Sequence, residues 1–274
     1  MAEKLWIGTD GNYGTSGNWS PSGVPGAGDN VRIPRGGGNI STSLDQSAVA
    51  IGAFIVEEGY TGTIGTSSAY LEIDPDSFSF SGQGAAYIDV GAAAIALDVR
   101  NTATVAAGYY GLYLLGSAIT ILSVVKGSVG VAMQIGETST ITDALRLSGN
   151  SATAALGSGV TMTGTTVDVL AGNAISNAAL ITANVAGGSL TLFGAATLTT
   201  ANIKGGTFYP NGSGTITTIN LGRSGGTVDF TQSGLDITVT NMNLYKGGSI
   251  KANPLRVTFT NDVVVQDVST IAAS

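Results

Sequence analysis

From about residue 40 onward, apolar and polar residues alternate in short runs. YLEID (70–74), FSFSG (78–82), AYIDVG (86–91) and AIALDVRN (94–101) each place hydrophobic side chains at every second position. That is the period of a half-buried strand. Further runs of the same kind follow at TITDALRLSG, VTMTG, TVDVLAG and ALITANVAGG. Almost no segment has helical periodicity with a charged face, so the pattern predicts an all-β chain.

The runs also repeat. Gly187-Gly188, Gly205-Gly206, Gly225-Gly226 and Gly247-Gly248 are separated by 18, 20 and 22 residues (205−187, 225−205, 247−225). The segments before them read ITANVAGG, TTANIKGG, TINLGRSGG and VTNMNLYKGG, and a strand-like stretch follows each pair. Short strands with glycine corners, at a period near 20 residues, are the sequence form of a parallel β-solenoid. A right-handed β-helix is the expected hand. Asn184, Asn202 and Asn220 recur every 18 residues (202−184, 220−202), with Asn241 or Asn243 as the next member. In a solenoid equivalent positions stack, so these asparagines predict an amide ladder at a corner. The alternative for the same row is a groove for a polar ligand. The glycine pairs fit corner positions that need positive φ.

Residues 1–35 depart from this pattern. Trp6 and Trp19, the two tryptophans of the chain, lie there with Pro21, Pro25 and Pro34 in a turn-rich stretch. The chain therefore divides into an irregular N-terminal cap or docking arm over 1–35 and a solenoid body over 36–274. A cap has a physical reason, because the first coil would otherwise expose a sheet edge and the end of the core. As an arm, the segment would use Trp6, Tyr13 and Trp19 as anchors in a partner.

Composition narrows the chemistry. Charged residues make up 11% of the chain, against about 25% in typical soluble domains. Burial of surface against sister chains is the simplest reading of that shortage, and it leads us to expect a homotrimer of rods packed side by side. The net charge is −7, and the 11 Lys and Arg are scattered singly, so no basic stripe for nucleic acid is present. There is no Cys and no His. This removes thiol nucleophiles, disulfides, the usual zinc sites and histidine acid–base catalysis, and no cofactor is expected. The N-terminus lacks the apolar core of a secretory signal, which points to synthesis in the cytoplasm. Residues 101–125 are free of charge but rich in Gly, Ser and Thr. We read them as two buried strands, not a membrane span.

Paired carboxylates are the one catalytic chemistry this inventory allows. Asp74 with Asp76, Glu57 with Glu58, and Asp143 near Arg146 are the candidates. Neighbours such as Glu57 and Glu58 point to opposite faces of a strand, and Pro75 predicts a turn between the two aspartates, so each reads as a surface charge and no enzyme is expected. Tyr109, Tyr110 and Tyr113 form either a carbohydrate-stacking platform or a packing cluster.

The stretch LWIGTDGNYGTSGNWSPSGVPGAGDNVRIPRG, followed by LDQSAV, GYTGTIG and YLEID, covers about residues 5–75. It resembles the opening of a group of tailed-bacteriophage structural proteins. The resemblance implies a virion component with a β-helical body, made in the host cytoplasm. It would decorate or cement the capsid exterior by contact with the major capsid protein or other virion proteins. The alternative it leaves open is a tail fibre or tailspike that binds, or binds and cleaves, a host surface polysaccharide. It implies no catalytic residue.

Overall fold

In the computed structural model, the described residues are 1–266 except 104, 105, 107, 164, 165, 223, 253 and 254. They form a parallel β-solenoid. The only helical element among them is one 3-10 turn, Ser16–Asn18.

Alternation along each strand builds the coil. The strands Leu180–Val185 and Leu198–Ile203 bury Ala183, Val185, Ala201 and Ile203 and turn Thr182, Asn184, Thr200 and Asn202 outward. Each coil lies on the next in register, so like positions form columns. One inward column passes through Val31, Phe54, Phe78 and Leu97, with Phe54 and Phe78 stacked at 5.9 Å. The neighbouring column contains Val185, Ile203, Leu221 and Leu244. A second ladder, continuous from Ala152–Leu156 to Gly248–Lys251, stacks Ala154, Ala174, Leu190, Phe208, Val228 and Ile250 inward. At roughly 25 cal/mol per Å² of apolar surface, these columns provide the main stabilisation of a chain without disulfides.

The charge-free run leads into the longest strand, Leu112–Val131, which has 20 residues and extends past Lys126. It is one strand where the sequence suggested two. It travels round the coil, pairing in turn with Ala86–Asp89, Ser139–Leu147, Ala96–Arg100 and Ala152–Leu156. It has no Gly-Gly corner. Instead it bends at register shifts near Ile119 and at Gly127, whose φ is +80°. Asn101, fully buried, pins that second bend. Its Nδ2 donates to Ser128 O at 2.7 Å, and its Oδ1 accepts from Ser128 N. No helix among the described residues is long and apolar enough to cross a membrane.

Corners explain the glycine pairs. Between Val169 and Asn173, Val185 and Ser189, and Ile203 and Thr207, the chain turns in three residues. The last of the three is Gly172, Gly188 or Gly206, at φ +82°, +64° and +66°. Their carbonyls accept from Ser189 N, Thr207 N and Thr227 N of the following coil. Gly187 and Gly205 do not need positive φ; a Cβ there would fall on the carbonyl oxygens of Leu170 and Ala186 one coil below. The next two corners are longer, and the positive φ moves to the first glycine, Gly225 (+87°) and Gly247 (+89°). Gly226 and Gly248 become the first residues of strands and pair with each other. The expectation that the pairs need positive φ therefore applies to one glycine of each pair, and corner length sets which one.

Residues 1–35 are joined to the body, not suspended from it. Glu3–Trp6 pairs in parallel with Asn30–Ile33, which pairs with Ala53–Val56. Trp6, Tyr13 and Trp19 are at most 1% exposed. The Trp6–Trp19 and Tyr13–Trp19 ring pairs are edge-to-face at 5.0 and 4.7 Å. Both indoles are satisfied, Trp6 Nε1 donating to Gly38 O and Trp19 Nε1 to Tyr13 O. The three rings close the end of the core, so they offer no anchor to a partner, and the docking role assigned to them is withdrawn. Lys4 is also buried here, its ammonium donating to Pro21 O and Ser22 O.

The corner geometry makes a contrast testable. Gly206→Ala places a methyl on the Gly188 carbonyl at a left-handed φ, and we expect a loss of about 1–3 kcal/mol in urea unfolding. Gly234→Ala meets nothing within 4 Å and should leave the midpoint unchanged.

Candidate functional site

One outward column carries the most organised polar chemistry of the chain. Arg146, Asp168, Asn184, Asn202, Asn220 and Asn243 occupy the same position in successive coils. Nδ2 of Asn184 donates to Asp168 Oδ1 at 2.8 Å. Asn202 donates to Asn184 at 2.9 Å, Asn220 to Asn202 at 2.9 Å, and Asn243 to Asn220 at 2.8 Å. The direction of the row follows from its first member. An ionised Asp168 can only accept, so Asn184 must present its NH₂, and every later amide must follow. Thr166 Oγ1 and Arg146 face the second oxygen of Asp168, at 3.2 and 3.9 Å. The ladder lies within the strands, near their C-terminal ends, and not at a corner as its glycine neighbours suggested. Asn243 is its last rung. Asn241 belongs to the parallel column of Thr166, Thr182, Thr200 and Thr218, and accepts from Asn261.

The corner beside the ladder alternates large and small residues. Leu170, Ala186, Lys204, Gly222 and Tyr245 are equivalent, each donating its backbone N–H to the same position one coil below. Ala186 leaves a cleft of about 490 Å³ between Leu170 and Lys204, floored by Asp168 and Asn184. Gly222 leaves another of about 240 Å³ between Lys204 and Tyr245, floored by Asn202 and Asn220. Asn184, Asn202 and Asn220 each use one N–H and one lone pair within the row. The second N–H and the second lone pair remain for an extended polar ligand or a partner's backbone.

The remaining candidates disperse. Glu57 binds Arg32 at 2.7 Å while Glu58 stays apart. Asp74 lies in the strand Leu71–Pro75, so Pro75 ends a strand where the sequence suggested a turn. Asp143 is exposed at a bulge in the strand Ser139–Leu147, and Arg146 turns to Asp168. Among the described residues, no group of three or more His, Cys, Asp or Glu could hold a metal ion. Tyr109, Tyr110 and Tyr113 separate by burial. Tyr110 is 9% exposed, with its ring against Gly130. Tyr113 stacks on Tyr87 at 4.6 Å, and Tyr109 is 64% exposed.

Sequence reasoning missed two columns. Tyr70, Tyr87 and Tyr113 stack in successive coils. Beside them stand Asp45, Glu72 and Asp89. Burial, then Asp45, then Asp89 push the Glu72 carboxyl above its ordinary value. The signal was hidden by uneven spacing, 17 and 26 residues between the tyrosines (87−70, 113−87) and 27 and 17 between the acids (72−45, 89−72).

Compared with protein-family models, curated proteins and solved structures, the chain matches none.

Two outcomes follow from these columns. Asn202→Ala removes two hydrogen bonds from the middle of the ladder and should cost about 1–3 kcal/mol, whereas Asn243→Ala removes one and should cost about half as much; equal losses in thermal unfolding would reject the ladder as a cooperative row. Glu72 behaves oppositely to a salt-bridged acid. Its raised pKa means the folded state is favoured while it is protonated, below the ordinary value of 4.5, and loses that advantage as pH rises through the raised value. Glu72→Gln should therefore raise the melting temperature at pH 7 and leave it unchanged at pH 3.

Proposed function

We propose that this chain is a structural protein of a bacteriophage virion that decorates or cements the capsid exterior as a homotrimer. The observation that carries the reading is the uninterrupted stack of in-register coils, sealed at its first end by Trp6, Tyr13 and Trp19. Such a body is a rigid rod whose outward columns are short, mostly uncharged side chains: Thr182, Thr200 and Thr218 beside Asn184, Asn202 and Asn220. Flat faces of this kind bind by area. A stable contact needs about 800 Å² from each partner, and a face with few long charged side chains loses little conformational entropy when covered. The phage-like opening over residues 5–75 supplies the virion context. In this reading the chain is not an enzyme, and its partners are the major capsid protein or other virion proteins.

A second reading is a tail fibre or spike that holds a host polysaccharide. The amide row with its two clefts favours it, because spare amide donors and acceptors at one-coil intervals suit a chain of hydroxyls.

Quantitative mass spectrometry of purified virions of the source phage, with native mass spectrometry of the isolated chain, separates these. Capsid decoration requires copies in the hundreds per particle and a trimer in solution. A few tens of copies would shift the assignment to a fibre, and absence from the particle would reject both.

A further inference from the structure

We infer that the tyrosine pocket of the solenoid face is a binding site for an organic cation, an ammonium or guanidinium group. The pocket, about 340 Å³, is walled by Tyr87, Tyr109, Tyr110 and Tyr113, with Ala85 and Ala106 as its small members. None of these side chains is charged. Tyr87 and Tyr113 are parallel within 7° and stacked at 4.6 Å, and Tyr110 meets Tyr113 at 80°, so the walls present rings in two orientations. A turn from Ala106 O to Tyr109 N at 3.0 Å holds the exposed Tyr109 at the rim. Ring faces carry negative potential, and a cation within about 6 Å of several of them is held more tightly than by any one.

The surroundings fix the sign. The strands Leu71–Pro75, Ala86–Asp89 and the start of Leu112–Val131 carry Glu72, Asp74 and Asp89 and no Lys or Arg up to Lys126. Asp89 follows Tyr87 by two residues on the same face, about 7 Å along the strand. That distance is within a Debye length of about 8 Å at physiological salt, so the carboxylate column reaches the pocket mouth. The column is also unneutralised: burial and the charges of Asp45 and Asp89 raise the Glu72 carboxyl. A saccharide fits less well. Within the walls its hydroxyls would find only phenol groups, and the Tyr113 hydroxyl already accepts from Tyr110 N at 3.3 Å. The site is independent of the virion reading, since its ligand chemistry follows from the walls and the neighbouring carboxylates.

Calorimetric titration of the full chain tests it with choline, the uncharged carbon isostere of choline, and a Gly-Arg-Gly peptide. At least one cation should bind about threefold to thirtyfold more tightly than the isostere. Tyr109→Leu should abolish that difference, and Tyr109→Phe, which keeps the ring, should retain it. Choline ahead of the peptide would identify a free quaternary ammonium, and the reverse order a side chain of a protein partner. Equal binding of the isostere would overturn the proposal in favour of a merely apolar pocket. So would no binding by either cation, or binding indifferent to Tyr109→Leu.

Discussion

The parallel pairing of each coil with the next governs everything else in this molecule. Adjacent strands in a sheet lie about 4.8 Å apart. A coil that pairs in register with its neighbours must therefore place every side chain directly over its equivalent. What a residue touches is decided less by its own sequence neighbours than by the residues one coil away. Asn202 bonds Asn184 and Asn220, 18 residues distant in each direction. Phe54 stacks on Phe78 for the same reason. Stacking also amplifies chemistry. Like amides gain, because each can donate and accept. Like carboxylates lose, because none can neutralise the next, and Glu72, raised by burial and then by Asp45 and Asp89, shares in that cost.

The corners must obey the same spacing, and this is where glycine is compelled. At Gly187 and Gly205 the obstacle is not φ but the carbonyl of the coil below, which occupies the place of a Cβ. At Gly172, Gly188 and Gly206 the backbone is left-handed, and the carbonyl must stay open to the next coil. Lengthening a corner exchanges the two demands: Gly225 and Gly247 take the positive φ, and a Cβ at Gly226 or Gly248 would fall on Ile203 or Leu221. The same corners shape the surface. A small first residue, Ala186 or Gly222, between large ones opens the clefts beside the amide ladder.

Surface chemistry is divided along the rod in consequence. The first ladder carries the amide row with Arg146, Asp168 and Lys204 nearby. The second carries tyrosines and unneutralised carboxylates in its early coils. Two faces of one scaffold thus offer two kinds of contact, hydrogen bonding on one and aromatic contact in a negative field on the other. Each column is set by the pairing of the strands that bear it.

The alternation of residues in runs such as YLEID and FSFSG was enough to establish strands, and the 18-residue recurrence of Asn184, Asn202 and Asn220 was enough to predict their bonding, because constant coil length maps sequence period directly onto stacking. The tryptophans of the opening segment likewise pointed to a cap. Where coil length varies, that mapping fails. Tyr70, Tyr87 and Tyr113, or Asp45, Glu72 and Asp89, share no period, and only strand pairing brings them into line. The burial of Trp6, Tyr13 and Trp19 was likewise undecided by sequence, since an aromatic in a turn-rich segment serves equally as plug or anchor until its neighbours are fixed. Composition and period determined the solenoid and its regular ladder; register across unequal coils, which depends on where each corner takes up its extra residues, decided the pocket, the carboxylate column and the closed end.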